Sequence, residues 1–262
     1  MSDVTKHYER FPYPPIPWPA LPRRGQGAAV RWEHGSTLAF GEASSHAGKR
    51  ILVVGGGTLE PLVVSLANPR SKEVVALDLS ARSLRTLKAR VRLARTRQWV
   101  MGFGVLNRVS PMSFVNGDVE SWEGGHFDYI LASNVLHHHP HPASLFQRLS
   151  TWLKPRGLLR VVTYPASSRF WLRYTSAWLK AGGVSPSSSS LVREAAERVA
   201  ELPTEHPIRL SFESNVERRT ATGIADAYFH PCERPLRPIQ WAAAARDAGL
   251  ELVAEDQHEL SK

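Results

Sequence analysis

Three short stretches carry residue types suited to holding a nucleotide-like ligand. Gly55, Gly56 and Gly57 directly follow the apolar run RILVV at 50–54 and precede a helix-like segment. Glycines at a strand-to-helix turn let the backbone approach a ligand, and the free amides of the helix start favour its polar or anionic groups. Asp78 closes the next apolar run, VVAL, 21 residues after Gly57. That is close to the offset of about 20 residues at which a carboxylate, an acceptor only, meets two ribose hydroxyls. Asp118 follows a third run, in SFVNGDV. A carboxylate there accepts from an exocyclic amine, the group that distinguishes adenine.

A second group is the histidine run His137, His138, His139 and His141. Imidazole is the usual general base near neutral pH. Pro140 and Pro142 break the run, so these side chains cannot all face one site. His137 follows the fourth apolar run most closely and is the first candidate for base or substrate contact; a histidine-rich turn capping the next helix is the competing reading. No cysteine or carboxylate lies beside the run, so no metal site is expected.

The elements that must position these residues are legible from periodicity. RILVV, VVAL, residues 113–115, YILA at 129–132 and LLRVV at 158–162 read as buried strands. Helix-like segments lie between them at 60–67, 83–96 and 142–153. Continuous apolar strands alternating with helices predict a parallel sheet covered on both faces, an α/β doubly wound, Rossmann-like fold. The first 48 residues are different: six prolines from Pro12 to Pro22 alternate with Phe11, Tyr13, Ile16 and Trp18. This composition predicts an extended arm that either packs on the domain or acts as a lid. Residues 166–238, with helices expected at 170–180 and 191–202 around GGVSPSSSS, read as an insertion covering the substrate. Phe170, Trp171, Tyr174 and Trp178 suit a packed helix better than an apolar pocket. Residues 239–262 read as helix, glycine and a last strand, LELVAE.

With 262 residues, 42% of them apolar, the chain can bury one sizeable core, which excludes a wholly disordered or fibrous protein. No apolar run approaches the roughly 18 residues of a membrane span, and the N-terminus lacks an apolar leader. The lone Cys232 cannot form an internal disulfide or supply a zinc site by itself. These features predict a cytoplasmic protein. The formal charge is +9, and eight cations, Arg82, Arg85, Lys88, Arg90, Arg92, Arg95, Arg97 and Arg108, fall in a stretch from 81 to 117 without one acidic residue. This Arg82–Arg108 ridge suits nucleic acid or another polyanion, or is a solvated basic face.

Taken together, ILVVGGGT, VVALDLS, SFVNGDVESW and FDYILASNVLHHHPHPASLFQRLSTWLKPRGLLRV resemble a class I S-adenosylmethionine-dependent methyltransferase over residues 49–165. The run from Val135-Leu136-His137-His138 to Leu153-Lys154-Pro155-Arg156-Gly157 is the most specific. YERFPYPPIPW and DAYFHPCERPLRPIQWAAAARDAGLELV are similar to segments of bacterial methyltransferases sometimes fused to tetratricopeptide repeats. The resemblance implies about seven strands, S-adenosylmethionine as cofactor and an unidentified methyl acceptor. It places Gly55 and Gly57 around the amino-acid portion, Asp78 on the ribose with Leu79 beside the adenine, and Asp118 and Val119 at the adenine amine and ring. Ser133 and Asn134 fall near the transferable methyl, Tyr13 joins His137 in the catalytic group, and Tyr8 and His138 fall on the substrate side. Two departures stand out: Val53 occupies the family's acidic position in the first strand, with Glu60 as the substitute, and Leu59 replaces the third glycine. Two alternatives follow, a non-catalytic binding or assembly protein on the same fold and, more remotely, an NAD-dependent oxidoreductase.

Overall fold

The computed structural model describes residues 2–23, 25–101 and 108–253. Its centre is a parallel sheet of five strands in the order β3-β2-β1-β4-β5. The strands are β1 (Arg50–Val54), β2 (Glu73–Asp78), β3 (Met112–Asn116), β4 (Phe127–Ser133) and β5 (Leu153–Val162). Val53 pairs with Ala76 on one side and Leu131 on the other, so the middle strand is covered in all directions. This is the doubly wound fold read from the sequence, with five strands among the described residues where about seven were expected. The strand order reverses between β1 and β4, and such a switch point opens a crevice at the carboxyl ends of the two strands.

Both faces of the sheet are layered. Leu52, Val54, Phe127 and Ile130 pack towards α5 (Pro142–Ser150) and α10 (Pro238–Asp247). Leu62, Leu66, Ala76, Leu87 and Val91 join the opposite face to α3 (Glu60–Ala67) and α4 (Ala81–Met101). Residues 166–238 build a helical subcore of their own from α6 (Phe170–Ala181), α7 (Leu191–Ala200), α8 (Pro207–Ser214) and α9 (Ala221–Phe229). On α6, Thr175 and Leu179 face this core, while Phe170, Trp171 and Tyr174 are exposed and stack on one another, so the aromatic face is neither a pocket wall nor a packed seam.

The ends of the chain depart from the sequence reading. Residues 1–48 are not all arm: α1 (Asp3–Arg10) and α2 (Trp32–Phe40) flank the proline stretch. The α1 helix starts where Ser2 accepts the Thr5 N–H, an ordinary N-cap. No strand forms over residues 250–253; the remainder of LELVAE lies outside the described residues. Gly249, at φ 74°, turns the chain, and the Leu250 N–H donates back to the Ala245 carbonyl, which closes α10 instead of starting a strand. The helix expected at 142–153 ends earlier, at Ser150, because Leu153 already pairs with Phe127 in β5.

Candidate cofactor site

The glycine turn sits at the switch point. Gly55 and Gly57 adopt φ of 61° and 57°, the left-handed region that only glycine enters without strain. A Cβ on Gly56 would come within 2.7 Å of Val53 and of Pro61, and one on Gly57 would strike the Tyr13 carbonyl. The turn is therefore built for close approach of backbone to backbone and of backbone to a ligand. Val53, at the position where an acid is usual, is fully buried in the core between β2 and β4.

Asp78 ends β2 with both oxygens engaged. Its Oδ2 accepts the Gly57 N–H at 2.9 Å and its Oδ1 accepts the Ser80 N–H at 2.8 Å. Burial pushes the carboxyl above its ordinary range, and the two N–H donors partly offset this. Each oxygen keeps a lone pair, the acceptor that a vicinal diol needs. Leu79 is half-buried, and the side chain of Asn116 donates to its carbonyl at 2.9 Å. Asp118 lies beyond β3, its Oδ1 accepting the Glu120 N–H at 3.0 Å, while Val119 packs into the core.

On the other side of the crevice, Ser133 at the end of β4 donates to Glu60 Oε1 at 2.5 Å. Burial raises the Glu60 carboxyl, opposed by Ser133 and by the charge of Arg160. Among the described residues Asn134 is one of two non-glycine residues with positive φ, at 57°, and its buried Oδ1 has no partner among them. Such a conformation costs on the order of 1 kcal/mol and persists where the surroundings impose it. An orphaned acceptor, a carboxylate with free lone pairs and a turn that no Cβ can enter fit a ligand bearing amine and hydroxyl donors.

The proline arm crosses this site as a fixed wall. The Tyr13 carbonyl accepts the Thr58 N–H at 3.3 Å, and Ser80 Oγ donates to the Tyr8 carbonyl at 3.3 Å. Arg90 fastens it: the guanidinium, wholly buried, donates at 2.7 Å to the carbonyls of Thr58 and Ile16. This corrects the ridge, from which Arg90 must be removed. Arg85, Lys88, Arg92 and Arg95 are exposed along α4, and Arg82 is tied to the Glu9 and Arg10 carbonyls.

Above the crevice lies a polar cluster of which the sequence indicated only part. Tyr13 Oη donates to Glu217 at 2.8 Å and Tyr8 Oη to Asp226 at 3.3 Å. Burial raises both phenols well above their ordinary range, and the paired carboxylates add to it. His137 is fully buried with neither ring nitrogen bonded, and its pKa falls to about 2, chiefly by burial and further by His138 and Arg169. Its ring packs against Tyr164, with centroids 4.9 Å apart. His138 Nδ1 donates to the Cys232 carbonyl at 3.0 Å, and its ring lies 3.8 Å from that of His230. Asp226 and His230 fall in DAYFHPCERP, where nothing in the sequence marks their role, and Glu217 and His7 carry no signal of their own; the placement of all four depends on contacts across most of the chain.

The strand order and the crevice at its switch point are those of a doubly wound, Rossmann-like fold. Residues 52–159 match the family described as a methyltransferase domain. Among solved structures, PKMT2 from Rickettsia typhi superposes with a TM-score of 0.65 at 14% identity, over 94% of this chain and 48% of that one. The same protein in complex with AdoHcy gives 0.67 at 13% identity, over 86% and 44%. At these identities the likeness carries the fold alone. The chain spans about half the length of PKMT2. Among the described residues no helix is long and apolar enough to cross a membrane.

Proposed function

We propose that this chain transfers a methyl group from S-adenosylmethionine to an acceptor bound between the proline arm and α9. The observation that carries the reading is the Asp78 carboxylate, fixed to the N–H groups of Gly57 and Ser80 at the switch point of a methyltransferase domain. Asp78 is the residue to hold the ribose hydroxyls, with Leu79, Asp118 and Val119 lining the adenine. The Gly55–Gly57 backbone, with Glu60 serving for the acid absent at Val53, receives the amino-acid end. Ser133 and Asn134 border the methyl. When bound, S-adenosylmethionine supplies an already activated methyl group, so the protein has mainly to align a nucleophile and exclude water. Tyr13 and the arm are suited to excluding water, because the carbonyls of Tyr13 and Pro14 accept from Thr58 at the glycine turn, and Tyr8 lies beside Ser80.

The complex of PKMT2 with AdoHcy is consistent with this cofactor assignment. His137, buried and neutral, serves as wall and acceptor-side contact, with His138 beside it. The exposed cations of α4 are the part suited to a polyanionic partner. The proposal is tested by incubating the protein with methyl-labelled S-adenosylmethionine and following AdoHcy formation, with NAD titrated in parallel. Binding of NAD in place of S-adenosylmethionine would favour the oxidoreductase.

A further inference from the structure

A cavity of about 310 Å³ opens between α6 and α9, at the lower end of the size range of small-molecule sites. No residue assigned above to the cofactor lines it. Its two uncompensated charges are both positive. Arg173 and Lys180 are exposed on α6, seven residues or about 10 Å apart along the helix, with Ala177 between them. The Arg173 side chain has no hydrogen-bond or ion-pair partner among the described residues, and Lys180 reaches only over the Phe229 ring, 5.8 Å from its centroid. The one acid in the lining, Glu233, is already paired with Arg169 at 2.5 Å.

His230 in the same wall holds an unused donor. Its Nδ1 accepts the Cys232 N–H at 3.1 Å, so the neutral ring carries its proton on Nε2, and that N–H has no partner among the described residues. The cavity therefore offers donors and positive charge over an apolar wall of Leu172, Ala177 and Ala227. Phe170 and Tyr174 stand exposed on the neighbouring stripe of α6, their ring centroids 4.8 Å apart. Phe170 lies one turn before Arg173 and Tyr174 one turn before Ala177, so these rings border the cavity without lining it.

From this arrangement we infer that the cavity binds a phosphate monoester with an aromatic body, its phosphoryl group held between Arg173 and Lys180 over Ala177 and its ring against Phe170 and Tyr174. Both cationic side chains are long enough to converge on one group above a residue as small as alanine. A phosphoryl dianion engages both, two of its oxygens on the Arg fork and the third on the Lys ammonium. A carboxylate has one charge and two oxygens and engages one of them. An ammonium would meet two cations and no free acid. The cavity is separate from the cofactor crevice, so this assignment does not depend on the methyl-transfer reading.

The test is calorimetric titration of the protein at low ionic strength with phenyl phosphate, benzoate, inorganic phosphate and benzylammonium, with and without AdoHcy. Phenyl phosphate should bind with a Kd of about 1 mM or tighter, and about tenfold more tightly than each of the other three. AdoHcy should leave that binding unchanged. Arg173→Gln and Lys180→Gln, each checked by circular dichroism, should each weaken it about fivefold, and Tyr174→Ser should bring it to the level of inorganic phosphate. Arg92→Gln on α4 should leave it within about twofold. No heat up to about 10 mM phenyl phosphate overturns the inference, as does benzoate binding equally tightly or undiminished binding in the folded Arg173→Gln and Lys180→Gln variants. Loss of phenyl phosphate binding on addition of AdoHcy also overturns it, since the ligand would then occupy the cofactor crevice.

Discussion

The Oδ2 atom of Asp78 accepts the backbone N–H of Gly57 at 2.9 Å, tying the end of β2 to the turn after β1. This single bond holds the carboxylate in the crevice and holds the turn in a conformation that opens its amides. Gly57→Ala tests the turn. The new Cβ meets the Tyr13 carbonyl and the residue must keep a φ of 57°. AdoHcy affinity is expected to fall by about tenfold and stability by about 1–2 kcal/mol, read by calorimetry and urea unfolding.

Arg90 binds the arm to the same turn. Arg90→Met removes the donors to Thr58 and Ile16 while roughly preserving volume. Two carbonyls lose their partner, so destabilisation of about 2–3 kcal/mol is expected, together with faster tryptic cleavage after Arg23. Arg90→Lys, which keeps the charge but cannot span both carbonyls as a fork, should restore only part of the protection.

The buried histidines set the pH response. His7, His137, His138 and His230 have folded pKa values of about 4, 2, 4 and 2, below the ordinary 6.5. The unfolded chain takes up these protons first, so the stability is present above pH 6.5 and is lost as pH falls. Asp226 acts in the opposite sense: raised to about 7, it costs stability as pH climbs from about 4 to 7. Between pH 4 and 6.5 the four imidazoles outweigh the one carboxyl. Urea midpoints should therefore fall steeply on acidification, and His137→Gln should flatten the slope by about one proton's worth, roughly 1.4 kcal/mol per pH unit.

On α4 the exposed cations Arg85, Lys88, Arg92 and Arg95 form the remaining basic ridge. If this face binds a polyanion, a single-stranded oligonucleotide should lose affinity steeply with salt. Replacing Arg92 and Arg95 by Gln should reduce the logarithmic salt slope by about 1 to 2, measured by fluorescence anisotropy. A slope unchanged in that variant would mark the ridge as a solvated face.

The sheet and the glycine turn were legible because each rests on local chemistry: five apolar runs, glycines at a strand end and a carboxylate one strand later. Arg90 was misread although its helical phase was informative. It lies three residues after Leu87 and four before Ala94, both buried, and so falls on the inner face of α4. Asp226 and Glu217 left no local trace. Their partners, Tyr8 and Tyr13, stand 218 and 204 residues away, and no periodicity encodes such a pairing. The strand expected at LELVAE failed over its first residues for a local reason, since Gly249 and Leu250 cap α10.

The most direct measurement is calorimetric titration of the wild-type protein and Asp78→Ala with AdoHcy. Wild-type binding in the micromolar range, on the order of 8 kcal/mol, is expected, with binding at least about tenfold weaker in the variant while circular dichroism shows it folded. No binding by the wild type, or equal binding by a folded Asp78→Ala, would contradict it.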